Sequence, residues 1–315
     1  MTTGVNAHPR FAGQQHRLRL RLGRWAGRGL LVLVGLVVLG AIWEAYKSWG
    51  PADGVSVFGA RVLPRTSDEA MPHLSTIWHA FGAQEVGGAI TLGPTKTVLD
   101  SVVSAAWHTL RWAGLGFAIG VTVGFLLALL MDRLAVFERA LLPYVVLSQT
   151  VPLIALAPLV SKWGQGWSVG PFTWERSTSV SIIAAYLAFF PVAVGMTRGL
   201  KSPSAVHAEY FRCCAAGWWK TLIRLKLPSS VPFLIPALRL AAAAAVVGSI
   251  VAEISIGLEG GIGRLILEYS QQATGDPSRV YAAVIGAAVL GLLAAAIVTA
   301  VDFALWRYHR GTGAR

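Results

Sequence analysis

Charge is scarce in this chain. Asp, Glu, Lys and Arg make up 13% of its 315 residues, against about 25% in a soluble domain. Cysteine is scarcer still: the two present, Cys213 and Cys214, are adjacent, and no structural disulfide is expected from them. No metal-ligand spacing occurs. The seven histidines are scattered, and His73 and His79, six apart, do not share a helical face. No Gly-x-x-x-x-Gly-Lys-Ser/Thr run is present, so the chain carries no nucleotide cradle of its own. The glycine-rich stretch Gly257 to Ile266 follows no strand, and reads as a turn and short helix outside the membrane. A membrane-embedded enzyme would cluster His, Asp, Glu or Cys within its spans, and here only isolated ones occur.

What is abundant is apolar sequence. Hydrophobic residues make up 55% and the mean hydropathy is +0.59. Sparse charge gathered between long apolar runs indicates an all-α, polytopic membrane bundle of about six spans. The net charge of +12 raises nucleic acid as a ligand. The basic residues lie in loops between spans, however, where membrane topology places them, so no nucleic-acid partner is expected. The spans are expected from about Trp25 or Leu30 to Tyr46, then Arg111–Met131, Ala140–Val160, Val180–Gly199, Val231–Ile256 and Val280–Trp306. Six arginines precede the first, as a cationic flank at a bilayer surface. A cleaved signal peptide would begin the same way, but no small-x-small site follows and bulky WEAYKSW ends the run. Glu44 and Lys47 read as interfacial charges.

Between the spans, residues 50–108 are mixed and punctuated by proline. Ala70–Phe81 and Thr95–Trp107 read as amphipathic helices, with Leu74, Ile77, Trp78 and Phe81 at helical spacing. They either lie on the membrane or pack on the bundle. In the second span Gly116, Gly120 and Gly124 recur every four residues, which permits close approach of a neighbouring helix. The third span is broken by Pro143, Pro152 and Pro158 and carries Ser148, Gln149 and Thr150 mid-span. Kinked helices survive where a neighbour or a wet path satisfies the freed carbonyls. Gln149, Thr150 and Pro152 are therefore candidates for a translocation path, the other reading being hydrogen bonds to a neighbouring helix. Trp163 to Ser179 follows as an outer loop. In span five Arg239 is read as snorkelling to the surface. Glu253 is either a structural hydrogen-bonding group or part of a gate.

The chain's organising stretch is Ala208 to Pro228, polar between two apolar runs. Ser202-Pro203 suits a helix start, Gly217 breaks the middle, and Pro228 is expected to stop the second half. Two short helices meeting near Gly217 follow from this. With six spans and both ends on one side, 17 of the 27 Lys and Arg fall on the side of the termini and eight on the other. The positive-inside rule then places the termini and this stretch in the cytoplasm.

The stretch resembles the EAA loop of ABC importer permeases: Glu-Ala-Ala, three residues, Gly, nine residues, Ile, one residue, Leu-Pro. Glu209 falls on the Glu, Leu225 on the Ile, and Leu227-Pro228 on the Leu-Pro. Tyr210 and Phe211 replace the alanines, and Ala215 replaces the glycine, with Gly217 two places on. Two further matches are similar to permeases of the nitrate, sulfonate and taurine type. These are SQTVPLIALAPL (Ser148 to Leu159) and the stretch from His108 to Phe117. Val251-Ala252-Glu253 also has its counterpart there. The resemblance covers roughly residues 98–306, with a basic tail over 1–29, a first span and outer segment over 30–97, the coupling loop at 201–228 and a second tail over 307–315.

The resemblance implies a type I importer subunit in the cell membrane. It also implies a second permease subunit, two cytoplasmic ATPase subunits that consume the ATP, an external binding protein, and no cofactor on this chain. The named loop residues would dock the ATPase. The solute would be small and anionic, like a sulfonate, taurine or nitrate, or else a thiamine-pyrimidine precursor or riboflavin. The alternative class is an ion-coupled carrier, which calls for internal repeats and discontinuous helices in matching halves; no convincing repeat is seen.

Overall fold

The computed structural model describes residues 31–312 except 32, 58–59, 86–95 and 274. The expectations for the tail over 1–29 lie outside those residues. Two compact units divide after Trp78.

The first unit holds helix α1, residues 33–49. Its apolar side chains face outward, with Leu33 at 59% and Leu39 at 65% exposure. That is the expected dress of a lipid-facing helix. Strands β1 (Val55–Val57) and β2 (Ala60–Leu63) pair antiparallel after it. The two charges near the end of α1 have partners. Glu44 accepts from the Leu74 amide at 2.7 Å and faces His73 Nδ1 at 2.8 Å. Lys47 pairs with Asp68 at 2.7 Å, and its hydrogen bond holds that carboxyl below the usual range. Helix α2 spans Leu74–Gly82. The expected apolar stripe is only partly buried: Ile77 is inside, while Trp78 is 77% exposed.

The second unit is the bundle. Helix α3 runs unbroken over Val98–Arg133. Thr95–Trp107 is therefore not a separate amphipathic helix; from residue 98 it is the first part of the span, because no glycine or proline separates the two. Its start is fixed by a capping box. Thr97 Oγ1 accepts from the Asp100 amide at 3.2 Å, and Asp100 accepts from the Thr97 amide at 3.1 Å.

The third span is not a kinked rod. Helices α4 (Ala135–Ser148) and α5 (Leu153–Gly164) meet at 103°. Pro143 and Pro158 are accommodated inside their helices. The break falls at Pro152, where the residue before a proline is pushed out of helical geometry. The freed Ser148 carbonyl accepts from the Tyr186 hydroxyl of the neighbouring helix. The loop beyond α5 contains a small hairpin, β3 (Ser168–Val169) with β4 (Phe172–Thr173).

Helix α6 (Arg176–Leu200) is the centre of the bundle, with fifteen of its 25 residues buried. Its small side chains let α3 and α9 (Leu227–Ile256) approach on two sides. A β-carbon at Gly120 would sit 2.7 Å from both the Ala185 carbonyl oxygen and Ala188 Cβ. Gly116 and Gly124 meet the same helix one turn either way. Further close approaches, unremarked in the sequence, serve α9: a β-carbon at Gly199 would sit 2.7 Å from Ser230 Cβ, and one at Gly248 would sit 3.1 Å from Ala184 Cα. Helix α10 (Ile262–Gln271) and helix α11 (Ser278–Thr312) complete the unit. Among the described residues, four helices are long and apolar enough to cross a membrane, and the bent pair makes a fifth crossing if it counts as one span.

Candidate functional site

The polar stretch between α6 and α9 folds as helix α7 (Ala205–Cys213), a turn, then helix α8 (Trp218–Thr221). The helix start is two residues later than the sequence suggested. Ser204, not Ser202, takes the cap position and accepts from His207, leaving Pro203 outside the helix. Pro228 does not end the second half. A π-turn over Leu222–Lys226 runs straight into α9, so one helical path extends from Trp218 to Ile256. The Leu227 amide bonds Leu222 O, five residues back. The ladder has slipped by one residue before the proline ring arrives, which avoids the clash a regular α-turn would impose.

No residue of α7 is buried. Glu209 and Tyr210 are exposed, the latter at 65%, and Phe211 is half-buried with its ring 6.2 Å from Tyr210. The turn is closed by backbone alone. Ala216 N–H donates to Phe211 O at 3.0 Å and Ala215 N–H to Arg212 O at 2.9 Å. This paired closure requires a left-handed residue at Ala215, whose φ is +49°. It is the place where the resembled motif has glycine, and the physical reason is visible: glycine takes this conformation without a β-carbon penalty. Gly217 does not substitute for it, having a φ of −62° as the cap of α8. Leu225 and Leu227 are half-buried, while Pro228 is exposed.

The stretch is tied to the helix ends beside it. Asp132, at the end of α3, has a side chain only 5% exposed. It accepts from Lys226 Nζ at 2.6 and 2.9 Å and from Trp218 Nε1 at 3.3 Å. The Arg133 guanidinium lies 5.2 Å over the Trp218 ring. Lys201 pairs with Glu138 of α4. Beneath these contacts Leu222 joins Ala128, Met196 and Leu200 in a buried cluster.

At the opposite end of the bundle Glu253 is fully buried. Its carboxyl accepts from Thr109 Oγ1 at 2.8 and 3.0 Å and from the Gly263 amide at 2.9 Å. Thr109 Oγ1 in turn accepts from the Ile262 amide at 2.9 Å. A carboxyl from α9 and a hydroxyl from α3 thus satisfy the free amides at the start of α10, whose own cap residue, Gly261, has no side chain to offer. A β-carbon at Gly261 would collide with the Glu253 carboxyl, and one at Gly263 would collide with the Ile250 carbonyl oxygen and press on Glu253. The glycine-rich stretch is the seat for this carboxyl, a pairing no local pattern announces. Nearby, Tyr269 donates to Glu85 at 3.1 Å, and burial together with that carboxylate pushes the phenol up.

Gln149 and Thr150 sit at the α4–α5 break, half-buried and exposed respectively. Thr150 bonds its own helix at Leu147 O, 2.8 Å away, and Gln149 contacts Ser148 at 3.4 Å. Pro152, exposed, opens α5. Arg239 does not merely snorkel: it reaches Asp302 of α11 at 3.2 Å, a partner 63 residues away that sequence proximity could not reveal.

Known proteins are similar to this chain in sequence. Residues 120–307 match the family described as binding-protein-dependent transport system inner membrane component. A formylaminopyrimidine transport permease protein, ThiX, of Halalkalibacterium halodurans is 34% identical over 201 residues, 63% of this chain and 76% of that one. A putative aliphatic sulfonates transport permease protein, SsuC, of Bacillus subtilis is 28% identical over 242 residues, 74% of this chain and 83% of that one. A riboflavin transport system permease protein, RibX, of Chloroflexus aurantiacus is 30% identical over 130 residues, 41% of this chain and 44% of that one. With the matched region covering more than half the chain and containing α6, the α7–α8 loop and Glu253, the protein belongs to the binding-protein-dependent transport system inner membrane components, the permease subunits of ABC transporters.

Proposed function

We propose that this permease subunit imports a small solute, an anion such as a sulfonate, taurine or nitrate or else a thiamine-pyrimidine precursor or riboflavin, by alternating access, driven by two cytoplasmic ATPase subunits. It pairs with a second copy of itself and receives solute from an external binding protein. The termini and α7 face the cytoplasm, as the excess of Lys and Arg on that side supports. The chain binds no cofactor, and the ATP is consumed by its partner. The solute class follows its relatives, whose names give aliphatic sulfonates, formylaminopyrimidine and riboflavin. Gln149, Thr150 and Pro152 line the path at the α4–α5 break, and Glu253 serves as the hydrogen-bonded buckle between helices.

One observation carries this reading. Helix α7 buries none of its residues against its own chain, yet its turn is closed by paired backbone bonds and its return arm is gripped by Asp132. A helix held firmly at its base and bare along its length suits a partner's groove. Closure of the ATPases would move α7 and shift the bundle between two states of differing solute affinity.

The test is a crosslink in membranes. Cys213 and Cys214 are changed to serine, one cysteine is placed at exposed Val206, and another in the groove of the candidate ATPase. A crosslink that changes with ATP, together with loss of transport in Glu209→Ala, is the expected outcome. No crosslink at any groove position, with Glu209→Ala transporting normally, would overturn α7 as the element that docks the ATPase.

A further inference from the structure

Helix α3 touches both ends of the machine. At its inner end Asp132 holds the return arm of the exposed loop through Lys226 and Trp218. Toward its outer end Thr109 holds both Glu253 of α9 and the first amide of α10. The two positions are 23 residues apart in one uninterrupted helix, about 35 Å at 1.5 Å per residue. Between them α3 is pressed against α6 through Gly116, Gly120 and Gly124, with no room for a side chain. Close packing of this kind transmits displacement instead of absorbing it.

We infer that α3 is the transmission rod of the subunit, with Asp132 as its inner clasp and Thr109 as its outer clasp. This rests on the permease reading above. Force arriving at α7 and α8 passes to Asp132, because its carboxylate binds two side chains of the return arm and is almost fully shielded. Shielding matters here: an exposed ion pair would be screened and soft. Axial or rotational movement of α3 then pulls on Thr109. That hydroxyl's one proton goes to Glu253 and its lone pair takes the Ile262 amide, so it cannot move without reopening the start of α10. Signals from a binding protein at the outer face return by the same rod, since coupling between sites is reciprocal. Asp132 and Thr109 are positioning residues; neither needs to touch the solute.

The experiment uses the complete transporter with its ATPase and binding protein in proteoliposomes. It compares wild type, Asp132→Asn, Thr109→Val and the double variant, reading solute imported per ATP hydrolysed and the stimulation of ATPase by loaded binding protein. Each single variant is expected to keep its assembly with the ATPase and its basal hydrolysis. Each should lose about fivefold or more in both readouts. The double variant should be no worse than the poorer single, because both cut one rod. An unchanged ratio in assembled single variants overturns the inference, and so do losses that simply multiply. Where Asp132→Asn fails to accumulate, the exchanged pair Asp132→Lys with Lys226→Asp takes its place, and restored coupling supports the clasp while continued uncoupling in an assembled complex overturns it. If wild type itself fails to assemble with any ATPase, the permease reading falls, an outcome distinct from an assembled but normally coupled variant.

Discussion

The two ends of the bundle, outer and inner in the proposed orientation, are built on opposite plans. At the outer end Glu253, Thr109 and the amides of Ile262 and Gly263 satisfy one another completely, and the glycines there exist to let the carboxyl in. At the inner end α7 offers Val206 at 74% and Tyr210 at 65% exposure, and buries nothing. A closed knot can only hold; an open helix can be held by something else. The difference teaches where each end would do its work: the outer one inside the chain and, on the proposed reading, the inner one on a partner. Substitutions that break the packing of the knot should therefore read out in the fold, and substitutions on α7 in transport with the fold intact.

The sharpest test of the knot is Gly263→Val. A side chain there meets the Ile250 carbonyl and Glu253 at once. Neither is the loose end of a flexible chain free to move aside, so the expected cost is at least about 3 kcal/mol. The detergent-solubilised subunit should aggregate or melt far below wild type in a thermal scan. A normal melting curve would show that the outer turn is loosely packed and dissolve the comparison. Glu253→Gln is gentler. The amide keeps the shape but presents a donor to Thr109 or Gly263, both already donors, so about 1–3 kcal/mol should be lost. The check is the midpoint of unfolding; wild-type stability would show that the carboxyl is not needed as a double acceptor.

Much of the fold could be read in the residues, and the failures have a common cause. Span positions, the small-residue stripe of α3 and the polar loop all come from patterns within one segment, and local patterns are what a sequence displays. Misreadings arose where two segments decide together. Pro228 looks like a stop, but the π-turn ahead of it shifts the hydrogen-bond ladder and removes the conflict. Ser202 and Ser204 both offer a cap, and Ser202 is instead drawn to the Ser229 carbonyl at 3.0 Å. Arg239 seemed destined for the surface because Asp302 lies on another helix. The grip of Asp132 on Lys226 and Trp218 was invisible for the same reason, although an acid at a helix end facing a basic, aromatic loop was a usable hint.

The turn at Ala215 sharpens the inner half of the comparison. An alanine held at φ +49° costs about 1–2 kcal/mol relative to ordinary geometry. Glycine removes that cost but adds back about 0.5–1 kcal/mol of unfolded-state freedom. Ala215→Gly should therefore stabilise by at most about 1.5 kcal/mol. A small rise in the unfolding midpoint with unchanged transport is expected; a fall would mean that the α-carbon's methyl group is packed where the turn looks bare.

The smallest effect on stability should be the most telling for function. Tyr210→Ala removes a ring that is 65% exposed, and surface changes of this kind usually stay within about 0.5 kcal/mol. On a bare helix in a partner's groove the same ring is an anchor, since tyrosines at the centre of interfaces commonly contribute more than 1.4 kcal/mol, a factor of about ten. The unfolding midpoint should therefore not move, while affinity for the ATPase falls about tenfold and transport falls with it. A matched loss in both midpoint and affinity would place Tyr210 in the fold itself. No loss in either would leave Glu209 and Phe211 to carry the contact, and would confine the docked part of α7 to one face.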